Sequence, residues 1–342
     1  MLKRIIRIAA AAGALLLAGC AARLDPAQEN GPVIRFTAGS NLLRDDATKT
    51  VAYYDDTSFG VFAFKQSGGT WAQLASKHWK PDFMFNQEVH NASSVYTYSP
   101  TRFWPDAAVN TLTFWAYSPY DASADLLVSG STNTAYTSTT EGLPDIRFTV
   151  DGHTDVLYSD VVADQTYASN SGIVPISFNH ALSLVDVNVK KQDPLARYTV
   201  TLKSVRFDGL YSTAILRSSG WAAWSGARSN LAVYEDDPDD DSDDIVLTTS
   251  NQPLQGVMPL PQDLGNQAAR LHVEFTISGA GIAHERTTAR EVLLSTVFED
   301  VSGQWVMNSH YTLTIQISPD DPIEFTVSWS DWGDAYNWHL TS

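Results

Sequence analysis

The chain has 342 residues, 44% of them hydrophobic, a formal net charge of −17 and a single cysteine. One cysteine excludes an internal disulfide and a thiolate metal cluster, so stability has to come from a buried core, and this length has room for two units. The acidic balance disfavours a nucleic-acid partner, whose phosphates require the opposite sign.

Met1-Leu2-Lys3-Arg4 is basic, and the mostly apolar run Ile5 to Leu17 is broken by Arg7 and Gly13. That run is too short to span a bilayer and reads as a cleavable signal peptide, residues 1–19. Leu17-Ala18-Gly19-Cys20 matches the bacterial lipobox, in which small residues precede a cysteine that is acylated. Cys20 is therefore the expected lipid attachment site, followed by a linker over 20–32. Loss of Lys3, Arg4 and Arg7 with the signal takes the mature chain to about −20. No later apolar run is long enough to cross a membrane, so lipid is the expected anchor.

From Val33 the chain reads as strands and turns. The expected strands are Val33–Ala38, Ser58–Lys65, Thr111–Tyr117, Ile146–Val150, Ile173–Phe178 and Leu182–Lys190, then Tyr198–Phe207, Tyr211–Leu216, Leu271–Ser278 and Arg286–Leu294. In the closing stretch Tyr311, Leu313, Ile315 and Ile317 alternate with polar residues. After Pro319-Asp320-Asp321-Pro322 the alternation resumes at Ile323, Phe325, Val327 and Trp329, which predicts a hairpin with one buried face. Gly, Pro, Asn, Asp and Ser clusters separate the strands, so β-sandwiches are expected rather than a parallel α/β sheet.

Val33, Phe36 and Ala38 do not alternate cleanly, which predicts a first strand of only moderate hold. The apolar phase 182, 184, then 185, 187, 189 predicts a bulge near Leu184–Val185. The polar Lys190-Lys191-Gln192-Asp193-Pro194 ends in a strand breaker and is the expected junction between an N-terminal sandwich, 33–193, and a C-terminal one, 194–342. Arg286–Phe298 is ambiguous between strand and helix, and the acidic run Glu235–Asp244 reads as a solvated loop rather than a calcium site, because EF-hand spacing is missing.

No nucleophile elbow, phosphate loop, H-E-x-x-H or dinucleotide glycine pattern is present, so neither an enzyme nor a cofactor is expected. None of the eight histidines has a partner at metal-ligand spacing, and no metal is expected. His180, Ser183 and Asp186 lie close in sequence, but on a strand Ser183 points away from the other two. Trp71, Trp79, Trp104, Trp221 and Trp224 suit a sugar-stacking platform, although core packing is the commoner use of Trp in sandwiches.

Taken in order, the segments resemble the fimbrillin family, the type V pilins. They are the lipoprotein signal, "VIRFTA", "SFGVFAF" at 58–64, "FWP…NTLTFWAYSPY" at 103–120, "DVLYSD" at 155–160 and "ISFNHALSLVDVNVKK" at 176–191. "VRFDGLYSTA" at 205–214, "GVMPLPQDL" at 256–264 and the closing "W…YTLTI…IEFTVSWSDW" complete the set. The resemblance implies an all-β fold of two transthyretin-like Greek-key sandwiches and a fimbrial, adhesive role. It also implies an outer-membrane lipoprotein precursor that is cut after an N-terminal Arg, which releases the first strand and opens a groove for a strand of the next subunit. The partners implied are other pilin subunits, the outer membrane and surface ligands. Arg44 in "GSNLLRDDATKT" is the expected cut, with Arg35 as the alternative, since Arg23 precedes the strand. Trp329, Trp332, Tyr336, Trp338 and Leu340 are the donor-strand candidates. An outer-membrane lipoprotein that binds glycans through exposed aromatics is the other reading.

Overall fold

The computed structural model describes residues 31–40, 58–74, 81, 83–93, 95–127, 143–192, 195, 197–237, 239, 244–265, 269–279, 284–318 and 323–332. Cys20, Arg44, Tyr336, Trp338 and Leu340 lie outside the described residues.

The first half forms β1 (Arg35–Ser40), β2 (Ser58–Ser67), β3 (Met84–Ala92), β4 (Val95–Thr97), β5 (Asn110–Ser118) and β6 (Asp125–Leu127). It continues with β7 (Asp145–Thr149), β8 (Leu157–Ser159), β9 (Val162–Gln165), β10 (Ile173–His180) and β11 (Leu184–Lys191). The second half adds β12 (Tyr198–Arg217), β13 (Gly220–Glu235), β14 (Ile245–Val246), β15 (Gln252–Pro253) and β16 (Arg270–Gly279). The last strands are β17 (Arg286–Leu293), β18 (Ser309–Ile317) and β19 (Glu324–Asp331). Two α-helical turns are described, α1 (Trp71–Leu74) and α2 (Leu294–Val297). The ambiguous 286–298 segment divides, its first part into β17 and the next into α2.

The strands build an all-β, sandwich-like fold of three sheets. The first has the order β1-β10-β8-β5-β2-β3-β4, with β9 on β5. Its inner face buries Phe36, Phe59, Val61, Phe114, Val174, Ile176 and Phe178 in one core. β2 and β5 are apolar on both faces, which is the mark of central strands covered twice. Phe62, Trp115 and Tyr117 point outward and pack on Ile146 and Phe148 of β7. Phe62 stacks on Trp115 with ring centroids 5.8 Å apart.

The second sheet runs β17-β16-β12-β7-β6, with β13 and β14 also on β12, and the third runs β15-β11-β18-β19. These two sheets enclose the larger core, where Val200, Leu202, Val205 and Phe207 of β12 and Leu271, Val273 and Phe275 of β16 meet β11 and β18. The expected alternation at 311–317 holds: Tyr311, Leu313, Ile315 and Ile317 are each at most 2% exposed. Burial of such a side chain contributes about 1.5–3 kcal/mol, so β18 anchors this core.

The structure departs from the sequence reading along β12 and β11. Tyr198–Phe207 and Tyr211–Leu216 are one strand, β12. Gly209, at φ +78°, lies where the register shifts between Phe207 and Leu210, and the strand bends without ending. The phase slip at 184/185 is not a bulge either, because β11 keeps an unbroken parallel register with β18 from Leu184 to Lys191. Leu182 and Leu184 face a cluster between the two cores, with Val156, Ala214, Leu216 and Leu260, while Val185, Val187 and Val189 face the larger core. The slip marks a handover from one core to the other. β11 thus pairs in the C-terminal half although it precedes the expected 193/194 junction, and β6 and β7 also join a sheet built mainly by the second half.

Candidate functional site

The first strand carries one full backbone ladder, and side chains complete most of its other edge. β1 pairs in parallel with β10 alone, from Arg35↔Ile173 to Ser40↔Phe178. Parallel pairs are slightly weaker per residue than antiparallel ones. The other edge of β1 begins with a short backbone contact. Val33 bridges Phe103, the Ile34 amide donates to the Arg102 carbonyl at 3.0 Å, and the Trp104 amide donates to the Pro32 carbonyl at 2.9 Å. A Cβ at Gly31 would stand 2.7 Å from the Trp104 carbonyl oxygen, so this entry needs glycine. Further along the same edge, side chains replace a ladder. The Tyr98 hydroxyl donates to the Ile34 carbonyl at 2.9 Å, and the Tyr96 hydroxyl donates to the Ala38 carbonyl at 3.2 Å. Burial pushes the Tyr98 phenol up to about 12 and also raises that of Tyr96, so both remain donors at neutral pH.

The apolar face of β1 is cleaner than the sequence reading held. Ile34, Phe36 and Ala38 are buried at 0%, 4% and 8% exposure, whereas Val33 is 43% exposed. The inward series starts at Ile34, and Val33 belongs to the outward one. Phe36 meets Tyr98, Phe59 and Phe114 edge-on, with centroids 5.4, 6.2 and 6.0 Å apart. Removal of β1 would open a groove floored by these rings and bounded by β10 on one side and the two tyrosines on the other. Tyr96 and Tyr98, in "SVYTYSP", were not singled out from sequence; their spacing of two on one strand face was the available signal. Arg35 lies within β1, where its amide donates to the Gly172 carbonyl at 3.1 Å and its guanidinium donates to the Ser171 carbonyl at 3.1 Å.

At the other end, β19 pairs with β18 throughout, from Ser309↔Asp331 to Gln316↔Glu324, and has no second neighbour among the described residues. Trp329 and Trp332 do not form one surface. Trp329 is 59% exposed opposite Tyr311, whereas Trp332 is 4% exposed. The Trp332 amide donates to the Asn308 carbonyl, and its ring stacks flat on His180 with centroids 3.9 Å apart. His180 Nδ1 is in turn hydrogen-bonded to Asp155 Oδ2 at 2.5 Å. Trp332 therefore pins the end of β19 between the two cores.

The remaining sequence candidates are dispersed. His180 pairs with Asp155, the Ser183 hydroxyl donates to the Val306 carbonyl, and Asp186 pairs with His310, so the first three share no site. Trp104 is buried, with its indole N–H on the Gly172 carbonyl, and that of Trp221 donates to the Ala181 carbonyl. Trp224 is exposed, but its N–H is taken by the Pro261 carbonyl; Trp79 lies outside the described residues. In the acidic run, Asp236 and Asp244 accept from Lys203 Nζ at 2.8 and 3.2 Å. The first of these bonds holds the Asp236 carboxyl below its usual range.

Residues 47–332 match the family model described as fimbrillin-like, a span that includes the groove residues and β19 but begins after β1. The chain is 27% identical over 261 residues to a fimbrium subunit, Fim1C, of Phocaeicola vulgatus, covering 70% of this chain and 66% of that protein, just under two thirds. Its fold is similar to the crystal structure of a fimbrial protein from Bacteroides vulgatus, with a TM-score of 0.61 and 19% identity, across 88% of this chain and 99% of that one. The chain belongs to the fimbrillin-like family.

Proposed function

We propose that this chain is a structural subunit of an adhesive cell-surface fimbria and joins its neighbours by strand exchange at the β1 groove. The observation that carries this reading is the way β1 is held: three buried side chains in an aromatic groove, one parallel ladder, and tyrosine hydroxyls in place of most of a second ladder. A strand held in this way is replaceable by another of the same alternation, with main-chain bonds supplying affinity and the pockets for Ile34, Phe36 and Ala38 supplying register. The role is structural rather than catalytic.

On this reading, cleavage after Arg44 frees β1, lipid on Cys20 holds the precursor at the outer membrane, and the two cores are two sandwich units. Arg35 is the poorer cleavage point, because its backbone is hydrogen-bonded inside the fold. Since Trp332 is pinned, the donor segment is the one that follows it, carrying Tyr336, Trp338 and Leu340. The glycan-platform reading has weaker support: the indole N–H groups of Trp104, Trp221 and Trp224 are engaged, and the half-buried Trp71 packs on Phe64.

The decisive experiment is mild trypsin treatment of the purified protein followed by electrophoresis in SDS. A ladder of SDS-resistant oligomers whose N-terminus is Asp45 is expected. Deletion of residues 334–342 should abolish the ladder and leave the circular dichroism and melting of the monomer unchanged. A ladder that survives this deletion, or a monomer that unfolds because of it, would overturn the donor assignment. Cys20→Ser should leave a soluble or unprocessed precursor; its retention in the outer membrane would refute the anchor.

A further inference from the structure

Three strands of the second sheet bring together donor groups that are far apart in sequence. Leu271 and Val273 of β16 face the larger core, so His272 between them lies on the opposite face of the sheet. There it stands directly across from Glu291 on β17 and from Arg206 on β12, and Asp208 is two residues further along β12. One donor atom from each of Asp208, His272 and Glu291 lies within 4.8 Å of the other two.

The His272 ring is unusual for a residue on the outward face. The residue is only 7% exposed, and its ring nitrogens, both buried, have no hydrogen-bond partner among the described residues. Nδ1 is 3.7 Å from Glu291 Oε1, and Nε2 is 3.8 Å from Glu274 Oε2, both too long for hydrogen bonds. A buried imidazole with neither nitrogen satisfied is costly, and it is the kind of vacancy that a bound ion fills. The separation between Nδ1 and Glu291 Oε1 is close to the ~3.3 Å between two ligands on a tetrahedral zinc ion. Glu291 is exposed and can close the remaining distance by rotating its side chain.

Two arginines set the electrostatics. Arg206 Nε donates to Asp208 Oδ1 at 2.9 Å, and Arg270 Nε stands 3.9 Å from Glu291 Oε2. Each contact involves one oxygen of its carboxylate, so Asp208 Oδ2 and Glu291 Oε1 remain as ligand atoms. Counting Glu274, the patch has three carboxylates against two guanidinium groups: the net negative charge attracts a cation, and the guanidinium groups limit its affinity.

We propose that Asp208, His272 and Glu291 form a divalent transition-metal site that ties β12, β16 and β17 together, with zinc the best match. An imidazole nitrogen among carboxylate oxygens suits zinc and its first-row neighbours, whereas calcium takes oxygen ligands. Three protein ligands leave a fourth position for water or for a side chain of another subunit. No metal is expected from the sequence because the spacings 208, 272 and 291 match no ligand motif; strand register alone assembles the site.

The test uses the mature chain, stripped with chelator and titrated calorimetrically with zinc chloride, with cobalt(II) as the spectroscopic probe. Wild type should bind one equivalent that disappears in His272→Ala and is at least tenfold weaker in Glu291→Gln. It should persist in His310→Ala, which removes a histidine outside the cluster. Bound cobalt should give visible ligand-field absorption, and zinc should raise the melting temperature of wild type, but not of His272→Ala, by a few degrees. If His272→Ala does not fold, as judged by circular dichroism, Glu291→Gln decides the question, since its side chain is exposed. No binding by wild type, or binding undiminished in Glu291→Gln, would overturn the site and leave these residues as an ionic lattice only.

Discussion

β1 and β18 each pair in parallel with a strand from elsewhere in the chain, yet they are held very differently. β18 has a full ladder on both edges, to β11 and to β19, and drives four large side chains into the larger core. β1 has one ladder, a short backbone contact at its start and two tyrosine hydroxyls, and it buries three side chains, one of them alanine. The difference separates a strand on which a core is built from one that fills a core already walled in on its other sides. Parallel pairing does not distinguish the two strands; the second edge does, a full ladder on β18 and mostly side chains on β1.

The severest way to break this comparison is a charge in β18. Leu313→Asp should cost about 4 kcal/mol or more and leave the protein insoluble or unfolded in denaturant titration. The matching change in β1, Phe36→Ala, would cost about 3–5 kcal/mol in an integral core strand. Here the loss should be confined to β1. Hydrogen exchange should show the amides of 35–38 unprotected, while the main melting transition moves by only a few degrees. A global melt as damaged as that of Leu313→Asp would show that β1 is not separable. Tyr98→Phe removes one hydroxyl bond, worth about 1 kcal/mol, and should speed tryptic release of β1 about fivefold with little change in melting. The smallest effect is expected far from both strands, at Lys203. The Asp236 carboxyl is held below its ordinary value, so its contribution is present above that value and lost as pH falls through the folded one. Lys203→Ala should therefore lower the neutral plateau slightly and leave the acid end unchanged, which flattens the acid limb of the stability profile.

Much of the fold was legible in the sequence because period-two alternation is a local signal. The expected segments at 58–65, 111–117, 173–178 and 311–317 all fall within observed strands, β2, β5, β10 and β18, and the all-β sandwich class follows from them. What alternation cannot give is the core that a face addresses. Leu184 and Val185 read as a defect in one strand because two different cores receive them. Ile34 was passed over for Val33 because both are β-branched and apolar, and only the neighbouring rings reveal which one points inward. The mostly exposed β13 and the cross-strand group around His272 left no periodic trace, since their neighbours are set by register between segments 20 to 80 residues apart. Within the candidate site, the segment forming β1 was marked out as the exchangeable strand, whereas the tyrosine latch and the pinning of Trp332 emerge only from tertiary contacts.

β12 has a consequence for a filament under tension. Twenty residues of continuous strand extend roughly 65 Å. Its first part is paired with β16 and lines the larger core, and its last is paired with β7 and lines the cluster between the cores, so one covalent backbone joins the two. On the proposed fimbrial reading, a pull entering at the larger core reaches that cluster along this strand and through the ladders on its flanks. Two beads joined by a slack linker would stretch at the linker first. With β12 in place of a linker, the joints between subunits are expected to yield before it.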